Sequence, residues 1–447
     1  MANVLPPPDA KTLYRKHLPR VVTVLARPDV VAYVQKHNNA YTPWEKLKRL
    51  PAPQGLTHEE AWTCIKLSRG QRCRETPLAD TSGRRFRYWL PDSALELLHR
   101  IDRDASGLLV SEHPTLPAAH ESERYLVASL MEEAIASSIL EGAVTTRAEA
   151  RRMLKEGRPP RTEAERMVAN NYAAIQRIRQ YQNQPLSEDM LNELHRIVTR
   201  ETLEQPEAAG QFQQPGERRV NVVNTRDGEV VHIPPPAEEL PARMAEVVAF
   251  ANGEPTEPFH HPVVRAILLH FAIAYVHPYA DGNGRTARAA FYWSMLRQGY
   301  WLVQYVAVSS VIRRARARYY RALKHSEIDE GDVTYFILYH LRVIDQAVAE
   351  FRDYLSRKQT EMETISHRLQ EYPGLNYRQR ALVAHAVRHP DGYYTINSHA
   401  GSHKVTYHTA RSDLLCLVTL GLLRQVRGRP IRFVPAADLA KTIGCED

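Results

Sequence analysis

Apolar residues along most of this chain return every three or four positions, the spacing of helices that bury one face. From Pro91 onward Ala94, Leu95, Leu97, Leu98 and Ile101 recur in this way, and Tyr125, Leu126, Leu130 and Ile135 form a second apolar face. The pattern predicts helices over residues 163–180, with Thr162 as N-cap, then 187–201, 241–251, 262–275, 284–298, 309–326 and 333–355. Residues 133–140 read as a further helix ending at Gly142. Residues 1–85 mix short periodic stretches with proline and basic clusters and carry no readable role.

Two runs depart from the helical period. Arg219-Val220-Asn221-Val222-Val223 and Glu229-Val230-Val231-His232-Ile233 are β-prone and flank Asp227-Gly228, which predicts a hairpin over 219–234 that Pro234-Pro235-Pro236 then stops. A lone hairpin is marginal by itself, so it is expected to lie over a cleft as a flap. Near residue 372 the composition shifts again. A helix over 376–387 with Asn376 as N-cap, a turn at Tyr394-Thr395 and a helix over 405–420 beginning near Ser402 or Thr406 precede two short strands around Gly428-Arg429-Pro430. This order resembles a winged helix-turn-helix, with 406–414 as recognition helix and Arg424, Arg427, Arg429 and Arg432 on the wing. The expected fold class is mainly α.

Composition narrows the setting. At 447 residues and 43% apolar content the chain has room for two or three domains. No stretch reaches the roughly 20 apolar residues of a membrane span, and Met1–Ala10 is proline-rich without a signal-like apolar run, so a cytoplasmic location is expected. Cys64, Cys73, Cys416 and Cys445 are scattered without metal-ligand spacing and read as free thiols. A net charge of +8 is compatible with phosphate-rich partners, yet such an excess is common in proteins that bind none.

The candidate chemistry concentrates in His277-Pro278-Tyr279-Ala280-Asp281-Gly282-Asn283-Gly284-Arg285-Thr286-Ala287-Arg288. A buried helix delivers His277, and Pro278 makes its continuation unfavourable. Gly282-Asn283-Gly284 frees backbone amides at the start of the next helix, whose positive end forms an anion hole. Arg285 and Arg288 fall one turn apart on that helix, where each guanidinium can hold a phosphate oxygen. Asp281 is the hard oxygen ligand that Mg²⁺ takes when phosphates complete its shell. His260, His261 and His270 lack complementary ligands and read as packing or surface residues.

This segment resembles the signature of the Fic family, His-Pro-Phe-x-Asp/Glu-Gly-Asn-Gly-Arg-x-x-Arg, with Tyr279 in place of Phe as the one departure. The resemblance covers roughly residues 120–345 and implies a helical Fic core with a β-hairpin flap. It implies transfer of AMP from Mg·ATP to a Ser, Thr or Tyr hydroxyl of a target protein. His277 is then the general base, with a pKa already near the working pH, and Asp281 the metal ligand. Asn283 and the amides of Gly282 and Gly284 face the α-phosphate, Arg285 the β-phosphate and Arg288 the γ-phosphate, while Val220, Asn221 and Val222 align the target by strand addition. By the same resemblance, Ser137-Ser138-Ile139-Leu140-Glu141-Gly142 matches the inhibitory motif Ser/Thr-x-x-x-Glu-Gly/Asn, in which Glu141 pairs with Arg288 and Ser137 holds the helix.

The expected organisation is 1–85 of unknown role, a helical part at 86–205 containing the inhibitory helix 133–142, and a core at 206–345 containing the motif 277–288. A linker helix at 346–371, the winged domain at 372–434 and a tail at 435–447 follow. Two other functions stay open on the sequence: hydrolytic removal of AMP using Glu141, and a DNA-binding regulator whose Fic domain senses nucleotide. Whether the wing reads DNA or protein, and whether the chain forms a homodimer, also stay open.

Overall fold

The computed structural model describes residues 4–106, 119–217, 219–223, 230–428 and 430–444. They form two compact units, Met1–Ala349 and Glu350–Asp447. Among the described residues no helix is long and apolar enough to cross a membrane, and Cys64, Cys73 and Cys416 are free. Cys445 lies outside the described residues, as do Asp227, Gly228, Glu229 and Arg429.

The first unit opens with helices α1 (Ala10–Val24), α2 (Pro28–Asn39), α3 (Trp44–Leu47) and α4 (His58–Gly70), closed around Leu13, Val21, Val30, Leu47, Trp62 and Ile65. Their starts are written locally. Asp9 accepts the Thr12 N–H at the head of α1, Pro28 opens α2 where a missing N–H costs nothing, and Thr57 with Glu60 forms a capping box on α4. A hairpin of β1 (Arg74–Ala79) and β2 (Arg85–Tyr88) sets Phe86 edge-on against Phe271 and Tyr275. The region without a readable role is therefore part of the same unit. A buried polar knot holds it there: Lys66 pairs with Asp329 at 2.7 Å, and the Tyr41 hydroxyl donates to Asp332. Arg69, 1% exposed, donates to Asn38, Tyr335 and the carbonyls of His37 and Thr42, so most of its N–H groups are satisfied inside the unit.

Helices α5 (Asp92–Ala105), α6 (Ala119–Leu140), α7 (Arg147–Glu156), α8 (Glu163–Tyr181) and α9 (Glu188–Val198) follow. Then come the short hairpin β3 (Val222–Val223) and β4 (Val230–His232), and helices α10 (Leu240–Asn252), α11 (Pro262–Val276) and α12 (Asn283–Arg297). Because α11 is apolar nearly all round, it lies at the centre, with Val264, Ile267, Phe271 and Ile273 fully buried and α12 packed along it. The helix expected over 309–326 is two helices, α13 (Val308–Arg314) and α14 (Arg316–Ile328), broken at Ala315 with φ −133°. Alanine carries no breaking signal, so the cause is tertiary: α13 packs on α6, where Glu133 accepts from the Ser309 N–H, while Tyr319 of α14 reaches His270.

Helix α15 (Thr334–Glu371) is continuous, and the division between units falls inside it, so the expected linker helix 346–371 is no separate element. The second unit adds α16 (Tyr377–Arg388), α17 (Ile396–His403), α18 (Tyr407–Thr419), β5 (Leu423–Val426), β6 (Arg432–Pro435) and α19 (Leu439–Thr442) around Leu382, Val383, Leu414, Leu417, Leu422 and Phe433. Asn376 and Thr406 cap α16 and α18. The expected turn at Tyr394-Thr395 instead opens a helix: Thr395 caps α17, whose polar sequence with a glycine hid it. Tyr394 also exchanges two backbone hydrogen bonds with Phe433, at 2.7 and 2.8 Å, a single antiparallel bridge on the outer side of β6. The second unit therefore runs helix, two further helices and a two-stranded hairpin after the end of α15.

Candidate active site

The site grows from the connection between α11 and α12. Pro278 disfavours helical angles at the residue before it, and His277 leaves the helix with φ 50° and ψ 54°. Its Nδ1 faces the Ala274 carbonyl at 3.3 Å, so the ring proton is placed on Nδ1 and Nε2 is left as an acceptor. Burial pushes the imidazole pKa down to about 4, with charge from His232 and Arg219 acting the same way against the Ala274 carbonyl and Glu141. A pKa near the working pH, expected from an unperturbed histidine, is thus corrected: the ring is neutral.

The loop after His277 is braced residue by residue. Tyr279 is fully buried, stacked on His195 with ring centroids 3.7 Å apart, and its hydroxyl donates to Asn192 at 3.0 Å. His195 accepts the Gly210 N–H and faces the Asp281 carbonyl with its other nitrogen, both at 2.8 Å. Asn283, 2% exposed, accepts from Tyr279 N and donates to Tyr279 O, so its amide fixes the loop's own backbone. Gly282 has φ 78°, and a Cβ there would meet Thr199 Cγ2 at 2.6 Å. These braces hold the amides at the head of α12 toward one point.

Two guanidiniums border that point. Arg285, 2% exposed, donates to the Val198 carbonyl and pairs with Asp281 at 2.7 Å, while its Nε has no hydrogen-bond partner among the described residues. Arg288 is committed to α6: Nε donates to Ser137 Oγ at 2.8 Å, Nη2 to the Ser137 carbonyl at 3.0 Å, and Nη1 pairs with Glu141 at 2.8 Å. Desolvation pushes the Glu141 carboxyl up, but Arg288, with Arg285 and Arg316 behind it, outweighs this and holds it below the ordinary carboxylate range. Gly142, at φ 99°, ends the segment. Asn171 on α8 donates to Ser138, and Glu133 takes both the N–H and hydroxyl of Ser309, so α6 is pinned on both sides of Ser137.

The flap is anchored by a residue that motif reading missed. Arg219 donates to Gln213, to the Pro235 carbonyl and to the carbonyls of Val276 and His277 at 2.8 and 2.9 Å, tying both ends of the hairpin to the end of α11. Val222 pairs with His232, Val220 is 40% exposed, and Asn221 lies between them before β3. His232 faces the Tyr275 carbonyl at 2.6 Å and Glu327 at 2.9 Å. The structure thus gathers His277, Asp281, Gly282, Asn283, Gly284, Arg285, Arg288, Ser137 and Glu141 at one place, with Val220–Val222 joined to it through Arg219. Missed were Arg219, His195, Asn171 and Glu133, whose only sequence signals are polar residues on otherwise ordinary helices and loops.

The comparisons agree with this geometry. The Fic/DOC family model matches residues 185–295. Proteins named "Protein adenylyltransferase Fic" from Drosophila sechellia and Drosophila melanogaster are 34% identical over 106 residues, 24% of this chain and 20% of theirs, so the match spans about a fifth of those relatives. The solved structure of a Fic family protein from Desulfovibrio desulfuricans G20 is similar in fold, with a TM-score of 0.51 at 20% identity, covering 77% of this chain and 96% of that one. Ser137 and Glu141 lie outside the matched span, whereas the whole segment from His277 to Arg288 lies inside it: residues 185–295 are a Fic/DOC-family domain.

Proposed function

We propose that this chain transfers AMP from Mg·ATP to a Ser, Thr or Tyr hydroxyl of a target protein, and that Glu141 holds the reaction off. The observation that carries this reading is the Glu141–Arg288 pair at 2.8 Å, set directly beside the anion hole at the head of α12. His277 Nε2 takes the proton of the incoming hydroxyl, whose oxygen attacks the α-phosphorus as the bond to pyrophosphate breaks. Negative charge gathering on the α-phosphate meets the amides that Asn283 and Gly282 hold in place. Arg285 takes the β-phosphate and Arg288, once free, the γ-phosphate.

The donors present suit magnesium brought with phosphates rather than a metal held by protein alone. Among the described residues no cluster of three or more His, Cys, Asp or Glu could hold an ion, and the Asp281 carboxylate, 62% exposed, is the one available to reach it. When bound, the ion neutralises phosphate charge. The target strand runs along Val220–Val222.

The decisive experiment incubates the chain and its Glu141→Gly variant with labelled ATP, magnesium and cell lysate. Strong labelling is expected only in the variant and is lost in Glu141→Gly/His277→Ala, which still binds ATP. Equal labelling by wild type and variant would sink the Glu141 clamp, and no labelling by either would sink the transfer.

A further inference from the structure

We propose that the second unit, Glu350–Asp447, binds duplex DNA, with α18 in the major groove and the β5–β6 hairpin along the phosphates. Three observations within that unit converge. Helix α18 is split lengthwise: Ala410, Leu414 and Leu417 are fully buried, while Tyr407, His408, Arg411 and Ser412 stand exposed together on its N-terminal half. Lys404, at φ 51°, makes the tight turn that brings α17 to α18, and Thr406 caps α18 with its hydroxyl. A convex helix offering a guanidinium, an aromatic hydroxyl and small polar groups from its first turns suits the base edges of a major groove.

The hairpin supplies the second observation. Its register pairs Arg424 with Val434 and Val426 with Arg432, so Arg424 and Arg432 share the face opposite buried Phe433, and Arg427 extends the exposed charge toward the tip. The Arg432 guanidinium lies over the Tyr393 ring, 4.6 Å from its centre, which fixes its direction without consuming its hydrogen-bond donors.

Charge is the third. Between residues 372 and 435 stand eight arginines and one lysine against two acidic residues, Asp391 and Asp413. Asp413 is turned inward, bound to Arg378 at 2.7 Å and to Asn376 and His399, so it and Arg378 cancel and seven arginines and one lysine stand against Asp391. Arginines flanking a groove-sized helix favour a polyanion of fixed shape.

The test uses the full chain and fluorescence anisotropy on a labelled mixed-sequence duplex of about 20 base pairs, two helical turns. Affinity is expected to fall at least about tenfold between roughly 50 and 200 mM salt. Arg427→Ala and Arg432→Ala should each weaken binding on every sequence and lower the salt slope by about one, while His277→Ala leaves binding unchanged. Salt-insensitive or absent binding overturns the proposal, as does binding that survives both arginine substitutions. Equal affinity for the single strand also overturns it, because it removes the groove from the recognition.

Discussion

Gly284 lies so close beneath the Glu141 carboxylate that a Cβ at position 284 would sit 2.1 Å from Glu141 Oε1. The glycine has helical angles, so its requirement comes from this neighbour rather than from backbone conformation. The carboxylate therefore rests against the α12 N-terminus, the positive end of that helix, as well as on Arg288. With Glu141 present, Gly284→Ala should cost about 1–3 kcal/mol through overpacking. In the Glu141→Gly background the same change should be neutral or stabilising by up to about 1 kcal/mol, since alanine is the better helix former. A double-mutant cycle on urea midpoints measures the difference, and additive effects would show that the two residues do not press on each other.

Arg219 donates to the carbonyls of Val276 and His277 as well as to Pro235, so one side chain ties the β3–β4 hairpin to the left-handed turn at His277. Arg219→Ala in the Glu141→Gly background should lower transfer by roughly ten- to a hundredfold, the scale of misplacing a reacting group by about an ångström. ATP affinity should hold, because Arg219 touches none of the anion-binding groups. Lysine should not rescue, as it lacks the planar fork that spans Pro235, Val276 and His277. Calorimetric ATP titration beside a transfer assay separates these outcomes; a parallel loss of ATP binding would contradict a purely positioning role.

Helices announced themselves through periodicity and caps because those signals are local: Asn376, Thr162 and Thr406 cap the helices they precede. The motif residues were legible because their spacing is contiguous. What the sequence hid is long-range. His195 reaches Tyr279 and Asp281 from α9, Asn171 holds Ser138 from α8, and Arg219 bridges nearly sixty residues. The break at Ala315 and the short helix α17 were missed for the complementary reason, that packing overrode an alanine-containing helical pattern in one case and a polar, glycine-containing one in the other. His277 illustrates the same limit in chemistry, since its depressed pKa comes from burial contributed by the rest of the fold.

Buried histidines give the first unit an acid-sensitive core. Burial lowers His195 from 6.5 to about 4 and His340 to about 3, and His270 falls well below 6.5 as well. In the unfolded chain these rings take up protons near pH 6.5, whereas in the folded chain they stay neutral until much lower pH. The unfolded state then binds more protons, so stability is full above about 6.5 and falls as pH drops toward 4. At pH 5 the loss for His195 or His340, both nearly inaccessible, is on the order of 1–2 kcal/mol each. Glu141 and Asp329, held below the ordinary carboxylate range chiefly by Arg288 and Lys66 against desolvation, act in the same direction only at lower pH, so the upper window belongs to the histidines. All five tryptophans lie in the first unit, so urea unfolding followed by their fluorescence reports on it selectively. The midpoint should fall steadily between pH 6.5 and 5, and a flat profile there would mean that these rings protonate inside the folded protein.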